Sequence, residues 1–154
     1  MSEYTLTIRE VVPGDLSAWS VLWDGYNRFY GREGPTALPA DITALTWGRF
    51  LDPTEPMYAL VAEEGGRLLG LTHFLFHRST TLAGPTCYLQ DLFTVSEARR
   101  RGIGGQLIEA VCARARQGGA TRVYWQTHET NATAMRLYDR VAERTGFVIY
   151  RKLV

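Results

Sequence analysis

Between residues 94 and 111 the chain reads TVSEARRRGIGGQLIEAV. An apolar strand pattern ends, three arginines follow, and Gly102, Gly104 and Gly105 open a helical pattern. A purely structural strand-to-helix turn needs one glycine, at most two. A helix N-terminus carries unpaired N–H groups and a partial positive charge of about half a unit. Glycines let an anion reach those groups without meeting a Cβ. With Arg99, Arg100 and Arg101 beside it, the turn reads as a phosphate cradle on a strand-turn-helix unit.

The common nucleotide motifs do not fit. A P-loop ends in Gly-Lys-Ser/Thr, whereas Gly105 is followed by Gln106-Leu107. A dinucleotide fingerprint needs glycine where Leu107 stands, and an acidic residue ending the next strand, which here ends Gln126-Thr127.

Around this turn the pattern predicts strands at 4–12, 57–64, 67–78, 86–95, 122–127 and 146–154. Helices are predicted at 15–30, 39–50, 102–117 and 131–145. Asp15 is the expected cap of the first helix, and Gly65-Gly66 marks a two-residue hairpin. Gly118-Gly119 ends the third helix. The order describes one α/β (α+β) domain over 1–154. Its central sheet is mixed and mostly antiparallel, flanked by helices, with strands 86–95 and 122–127 parallel through a right-handed crossover.

The 154 residues carry 17 basic and 16 acidic side chains, a formal charge of +1, which argues against nucleic-acid binding by phosphate neutralisation. No run of eighteen apolar residues suggests a membrane span, and the N-terminal MSEYTLTIREV lacks a signal-like apolar run. Cys87 and Cys112 form no CxxC motif and read as reduced thiols of a cytoplasmic protein. His73 and His77 share a strand face without a third ligand, so no metal site is expected. Trp19, Trp23, Tyr26 and Tyr30 recur at helical spacing and read as a core face, with the outer end a candidate pocket wall.

Arg99-x-x-Gly102-x-Gly104 resembles the [QR]-x-x-G-x-[GA] motif of the GNAT superfamily of N-acetyltransferases. The strand Leu92-Phe93-Thr94-Val95 before it and Asn131-x-x-Ala134-x-x-Leu137-Tyr138 after it stand where that superfamily has them. YLQDLFT, RVYWQTHETN and LYDRVAERTGFVIYRK resemble the branch with fungal histone, polyamine and D-amino-acid acetyltransferases.

The resemblance implies acetyl-CoA as co-substrate, with its pyrophosphate on the amides of Arg101, Gly102, Ile103, Gly104 and Gly105. It implies a bulge and a splay that free the strand edge around Phe93 and Val95 for the pantetheine arm, by strand addition. It also implies that the Phe93 N–H stabilises the oxyanion, that Asn131 bonds the arm, and that Tyr138 protonates the departing thiolate. In the superfamily a carboxylate often stands where Leu89 does here. The candidate bases are therefore Asp91, expected on the same face as Leu89, Phe93 and Val95, and Glu129; His128 reads as a locally bonded loop residue.

The reading is direct acetyl transfer to a primary amine, either a small molecule or a peptide. A non-catalytic acyl-CoA sensor of the same fold is the alternative. Gly146-Phe147 runs into Val-Ile-Tyr-Arg-Lys-Leu-Val, an apolar edge expected to pair across a homodimer, as the resembled branch does through its C-terminal region.

Overall fold

A computed structural model describes residues 4–154. Chain order is β1 (Thr7–Glu10), α1 (Leu16–Phe29), α2 (Ala40–Leu51), β2 (Met57–Glu64), β3 (Arg67–His77) and β4 (Thr86–Thr94). It continues with α3 (Ile103–Gln117), β5 (Val123–Tyr124) and α4 (Ala132–Val141). The sheet order is β1-β2-β3-β4-β5; the first four strands are antiparallel and β4–β5 is parallel.

The alternation of side chains fills two faces. Val61 and Leu71 join Trp19, Leu22, Trp23 and Trp47 on the side of α1 and α2. Leu60, Phe74 and Leu89 join Ile108, Val111 and Ala115 of α3 on the other. Trp19, Trp23 and Tyr26 are buried while Tyr30 is exposed, so the aromatic stripe is core for three of its four members. Full burial of one such large apolar side chain contributes about 1.5–3 kcal/mol. Gly65 and Gly66 take φ of 59° and 78°, the left-handed pair that a tight hairpin requires.

Asp15 sits at the helix start, but its side chain makes no cap bond to α1. It grips the Arg9 guanidinium with both oxygens, at 2.8 and 2.9 Å, and accepts from the Val12 N–H at 2.8 Å. Arg9 holds its carboxyl below the usual carboxylate range.

β4 contains an irregularity that single-sequence periodicity does not carry. His73 pairs with Asp91 and Phe74 with Leu89, so Gln90 is an extra, unpaired residue. A one-residue bulge reverses the alternation beyond it. Leu89 consequently packs with α3, whereas Asp91 contacts His73 on the α1 side. The expectation that Leu89 and Asp91 share a face is thereby corrected.

After α3, two predicted elements come out shorter and one does not form. β5 pairs only at Cys87↔Val123 and Tyr88↔Tyr124, because β4 bulges away two residues later. α4 ends at Val141; residues 141–145 are all exposed, so no packing sustains another turn. Residues 146–154 form no strand: the alternating Phe147-Val148-Ile149-Tyr150 pattern has no paired neighbour among the described residues.

Gly70 of β3 sets the seating of α3. A Cβ there would lie 3.0 Å from the Phe93 carbonyl oxygen and 3.1 Å from Leu107. Gly70→Ala is expected to cost about 1–3 kcal/mol by overpacking, read as a lowered urea midpoint at unchanged m-value.

Candidate active site

The glycine-rich turn is built as a bare helix start. Gly102 is the residue before α3 and has φ 77°, with no side-chain cap bond. The first turn-closing bond here runs from the Gln106 N–H to the Gly102 carbonyl at 3.0 Å. The amides of Ile103, Gly104 and Gly105 therefore lack intrahelical partners. Ile103 and Leu107 are buried and pin the helix start to the sheet.

The three glycines serve different ends. A Cβ on Gly102 would meet nothing, so the space above it is open, and its left-handed φ is what calls for glycine. At Gly104 a Cβ would stand 3.2 Å from Leu137 of α4, so this glycine also lets two helices close up. Among the arginines, Arg99 donates from Nε to the Thr94 carbonyl at 3.3 Å, and Arg101 pairs with Glu64. Arg100, at φ 67°, is exposed and makes no ion pair among the described residues.

Next to this turn, the β4 edge is open. The Val95 N–H donates to the Leu69 carbonyl at 2.9 Å, and the register pairs Gly70↔Thr94, Leu71↔Phe93 and Thr72↔Leu92. Hydrogen-bonded and non-bonded pairs alternate along an antiparallel ladder. The Phe93 N–H is thus taken up by the Leu71 carbonyl, like the Val95 N–H one bonded pair further on. The amides that face the open edge are those of Leu92 and Thr94. The bulge and the splay from β5 implied by the family resemblance are both present, but the free donors alternate with the residues expected.

Asn131 precedes α4 without capping it; its Nδ2 donates to Thr127 Oγ1 at 3.2 Å. His128 bonds Thr130 at 2.7 Å, a local loop contact. Tyr138 packs edge-on to Trp125, with ring centroids 5.5 Å apart. Burial, then the neighbouring Tyr30, pushes its phenol up to about 12. Glu129 is exposed and does not line the cleft described next.

A cleft of about 680 Å³ lies between α1, α2 and the bulged end of β4, bordered by Trp23, Tyr26, Arg32, Phe50, Gln90 and Asp91 among others. Asp91 reaches it from β4. The Trp19 indole N–H donates to His73 Nε2 at 3.1 Å, which leaves the His73 proton on Nδ1, donated to Asp91 Oδ2 at 2.9 Å. Burial, then the Asp91 charge, raises the Tyr26 phenol far above its ordinary value. Sequence reasoning missed His73 and Arg32 as cleft residues: a strand histidine weighed only as a metal ligand with His77, and a loop arginine, carry no motif.

Residues 19–142 match the Acetyltransferase (GNAT) family. The chain belongs to this family. It is 34% identical over 149 residues, 96% of this chain and 90% of the other, to a D-amino-acid N-acetyltransferase of Saccharomyces cerevisiae. It is also 34% identical over 147 residues, 94% and 95% of the two chains, to an uncharacterized N-acetyltransferase of Bacillus subtilis. An aminoglycoside N-acetyltransferase in complex with CoA shares the fold at TM-score 0.79 and 19% identity, over 97% of this chain and 95% of that one. The protein is thus an acetyltransferase enzyme of the GNAT fold. No described helix is long and apolar enough to cross a membrane, and no group of three His, Cys, Asp or Glu among the described residues is placed to hold a metal.

In this acetyltransferase, His73→Phe would leave the Trp19 N–H and one Asp91 oxygen without partners. Orphaning a buried polar group costs about 1–3 kcal/mol, expected as a lowered denaturation midpoint; an unchanged midpoint would show that the chain Trp19–His73–Asp91 contributes no net stability.

Proposed function

We propose that the enzyme uses acetyl-CoA to acetylate a primary amine by direct transfer, as a single domain over residues 1–154. The observation that carries this reading is the juxtaposition of a bare helix start at Gly102 with an open β4 edge. Free amides at Ile103, Gly104 and Gly105, with Arg99, Arg100 and Arg101 around them, suit a pyrophosphate. The edge amides of Leu92 and Thr94 suit the amide-bearing pantetheine arm and a developing oxyanion, and Asn131 is the further arm contact that the family resemblance implies. Acetyl-CoA supplies the activated thioester.

Asp91 orients the acceptor amine and takes up its proton, directly or through water, as the N–C bond forms. Tyr138 returns a proton to the sulfur as the C–S bond breaks. Glu129, exposed and outside the cleft, is the weaker candidate base. A thiol intermediate is disfavoured, because burial pushes Cys87 up to about 12 and leaves it protonated at neutral pH. The acceptors named for relatives, D-amino acids and aminoglycosides, are amines of small molecules. Two free cysteines suit a reducing, cytoplasmic setting.

The test is amine-dependent release of CoA thiol from acetyl-CoA. Tyr138→Phe should lower kcat roughly 10²-fold with the acetyl-CoA KM unchanged. The folded Tyr138 value of about 12 lies above the ordinary 10.0, so the donor stays protonated below pH 10 and is lost only as pH climbs towards 12. Equal kcat in the variant would reduce Tyr138 to a packing residue.

The reading extends to a homodimer. Phe147, Val148, Ile149 and Tyr150 are 91%, 71%, 70% and 92% exposed. Such an apolar, unpaired segment suits pairing with the same segment of a second copy. Light scattering is expected to give twice the 17.4 kDa of one chain, and truncation after Gly146 to abolish the dimer; a single-chain mass in dilute solution would overturn it.

A further inference from the structure

The acceptor cleft holds two opposite charges, and neither has a charged partner among the described residues. Asp91 is bonded to His73, whereas Arg32 forms no ion pair among the described residues although its side chain lines the same cleft. A free loop arginine would ordinarily extend into solvent. Arg32 instead is half-buried and fixed in three ways. Its Nε donates to Asn27 Oδ1 at 2.6 Å, its backbone N–H donates to the Asn27 carbonyl at 2.8 Å, and its guanidinium lies 5.7 and 5.5 Å from the ring centres of Tyr26 and Tyr30. Asn27 is itself buried, 4% exposed, with its Nδ2 spent on the Trp23 carbonyl at 2.9 Å. A buried amide is thus committed to aiming one guanidinium.

With Nε occupied, the two terminal nitrogens remain, and their donors match a carboxylate in fork geometry. Tyr26 stands between the charges: it touches Arg32 through its ring and feels the Asp91 carboxylate at its phenol. One end of the cleft therefore favours a cation and the other an anion. A polyamine would meet Asp91 but be repelled by Arg32.

We infer that Arg32 is a carboxylate anchor and that the acceptor is an α-amino acid, its amino group at Asp91 and its carboxylate on Arg32, with the side chain among the cleft aromatics. This rests on the acetyl-transfer reading above for what happens to the amine, but not for binding itself. Asn27 acts as a positioning residue for Arg32.

The experiment compares alanine, in both enantiomers, with alaninamide. Thiol release gives kcat and KM, and calorimetry in the presence of CoA gives binding without turnover. Alaninamide has the more readily deprotonated amine, so any preference for alanine runs against intrinsic reactivity. At least one alanine enantiomer is expected to bind and react with a KM about 10- to 100-fold below that of the amide, the scale of a charge-assisted pair. Arg32→Gln should erase that ratio by raising the alanine KM while leaving CoA affinity unchanged, and Arg32→Lys should restore it only in part. Equal handling of acid and amide by the native enzyme, or a ratio that survives Arg32→Gln, overturns the anchor. Binding of neither compound overturns it as well. Acid-selective, Arg32-dependent binding without thiol release upholds the anchor and refutes acetyl transfer.

Discussion

β4 runs antiparallel to β3 for nine residues but cannot hold one register over that length, because Gln90 has no partner. The insertion of this one residue has consequences on both sides of the strand. Before it, Leu89 belongs to the α3 core; after it, Asp91 turns to the opposite face and meets His73. Beyond it the strand leaves β5, so the Leu92 and Thr94 amides open onto a wedge rather than a ladder. A regular β4 would bury Asp91 against α3 and zip the wedge shut. The bulge thus creates the polar end of the cleft and the open edge in one step.

The carboxylate so placed is almost out of water, with a side chain 12% exposed. Leaving such a carboxylate without a hydrogen-bond donor costs about 1–3 kcal/mol or more. His73 meets that demand, and Trp19 in turn fixes the histidine tautomer by giving Nε2 a donor. The indole is wholly buried, stacked on Trp23 and tilted against Trp47, at ring-centre distances of 5.8 and 4.8 Å. The orientation of Asp91 is therefore held by the aromatic core of α1 and α2, not by surface contacts. Gly25 contributes to the same arrangement: a Cβ there would lie 2.9 Å from Phe93, so its absence lets α1 settle onto β4.

Much of this is legible from residues alone, where local chemistry decides. The β2–β3 hairpin follows from two runs of β-rich sequence about Gly65-Gly66, and α3 from the glycine punctuation at both its ends. The bare helix start is legible because positive charge and missing Cβ atoms are written in one stretch. The bulge is not, since Leu89-Gln90-Asp91 alternates as well as any regular strand, and its extra residue is defined only against β3. For the same reason the open-edge donors stand one position either side of Phe93. Residues 146–154 fail differently: a strand pattern states a willingness to pair, and no described strand pairs with this segment.

The cleft and the helix start are carried by different pieces of chain. Arg32 and Tyr30 lie just past the end of α1, in a loop whose backbone hydrogen bonds are local, to Tyr26, Asn27, Arg28, Glu33 and Gly34. The helix start at Gly102 is anchored separately, through Ile103 and Leu107, on the other face of the sheet. Exchange or lengthening of residues 31–38 would rewrite the anionic or cationic character of the cleft without disturbing the donors at Gly102–Gly105. Such a division of labour means that a change in a single surface loop can alter the charge lining the cleft while the bare helix start stays as it is.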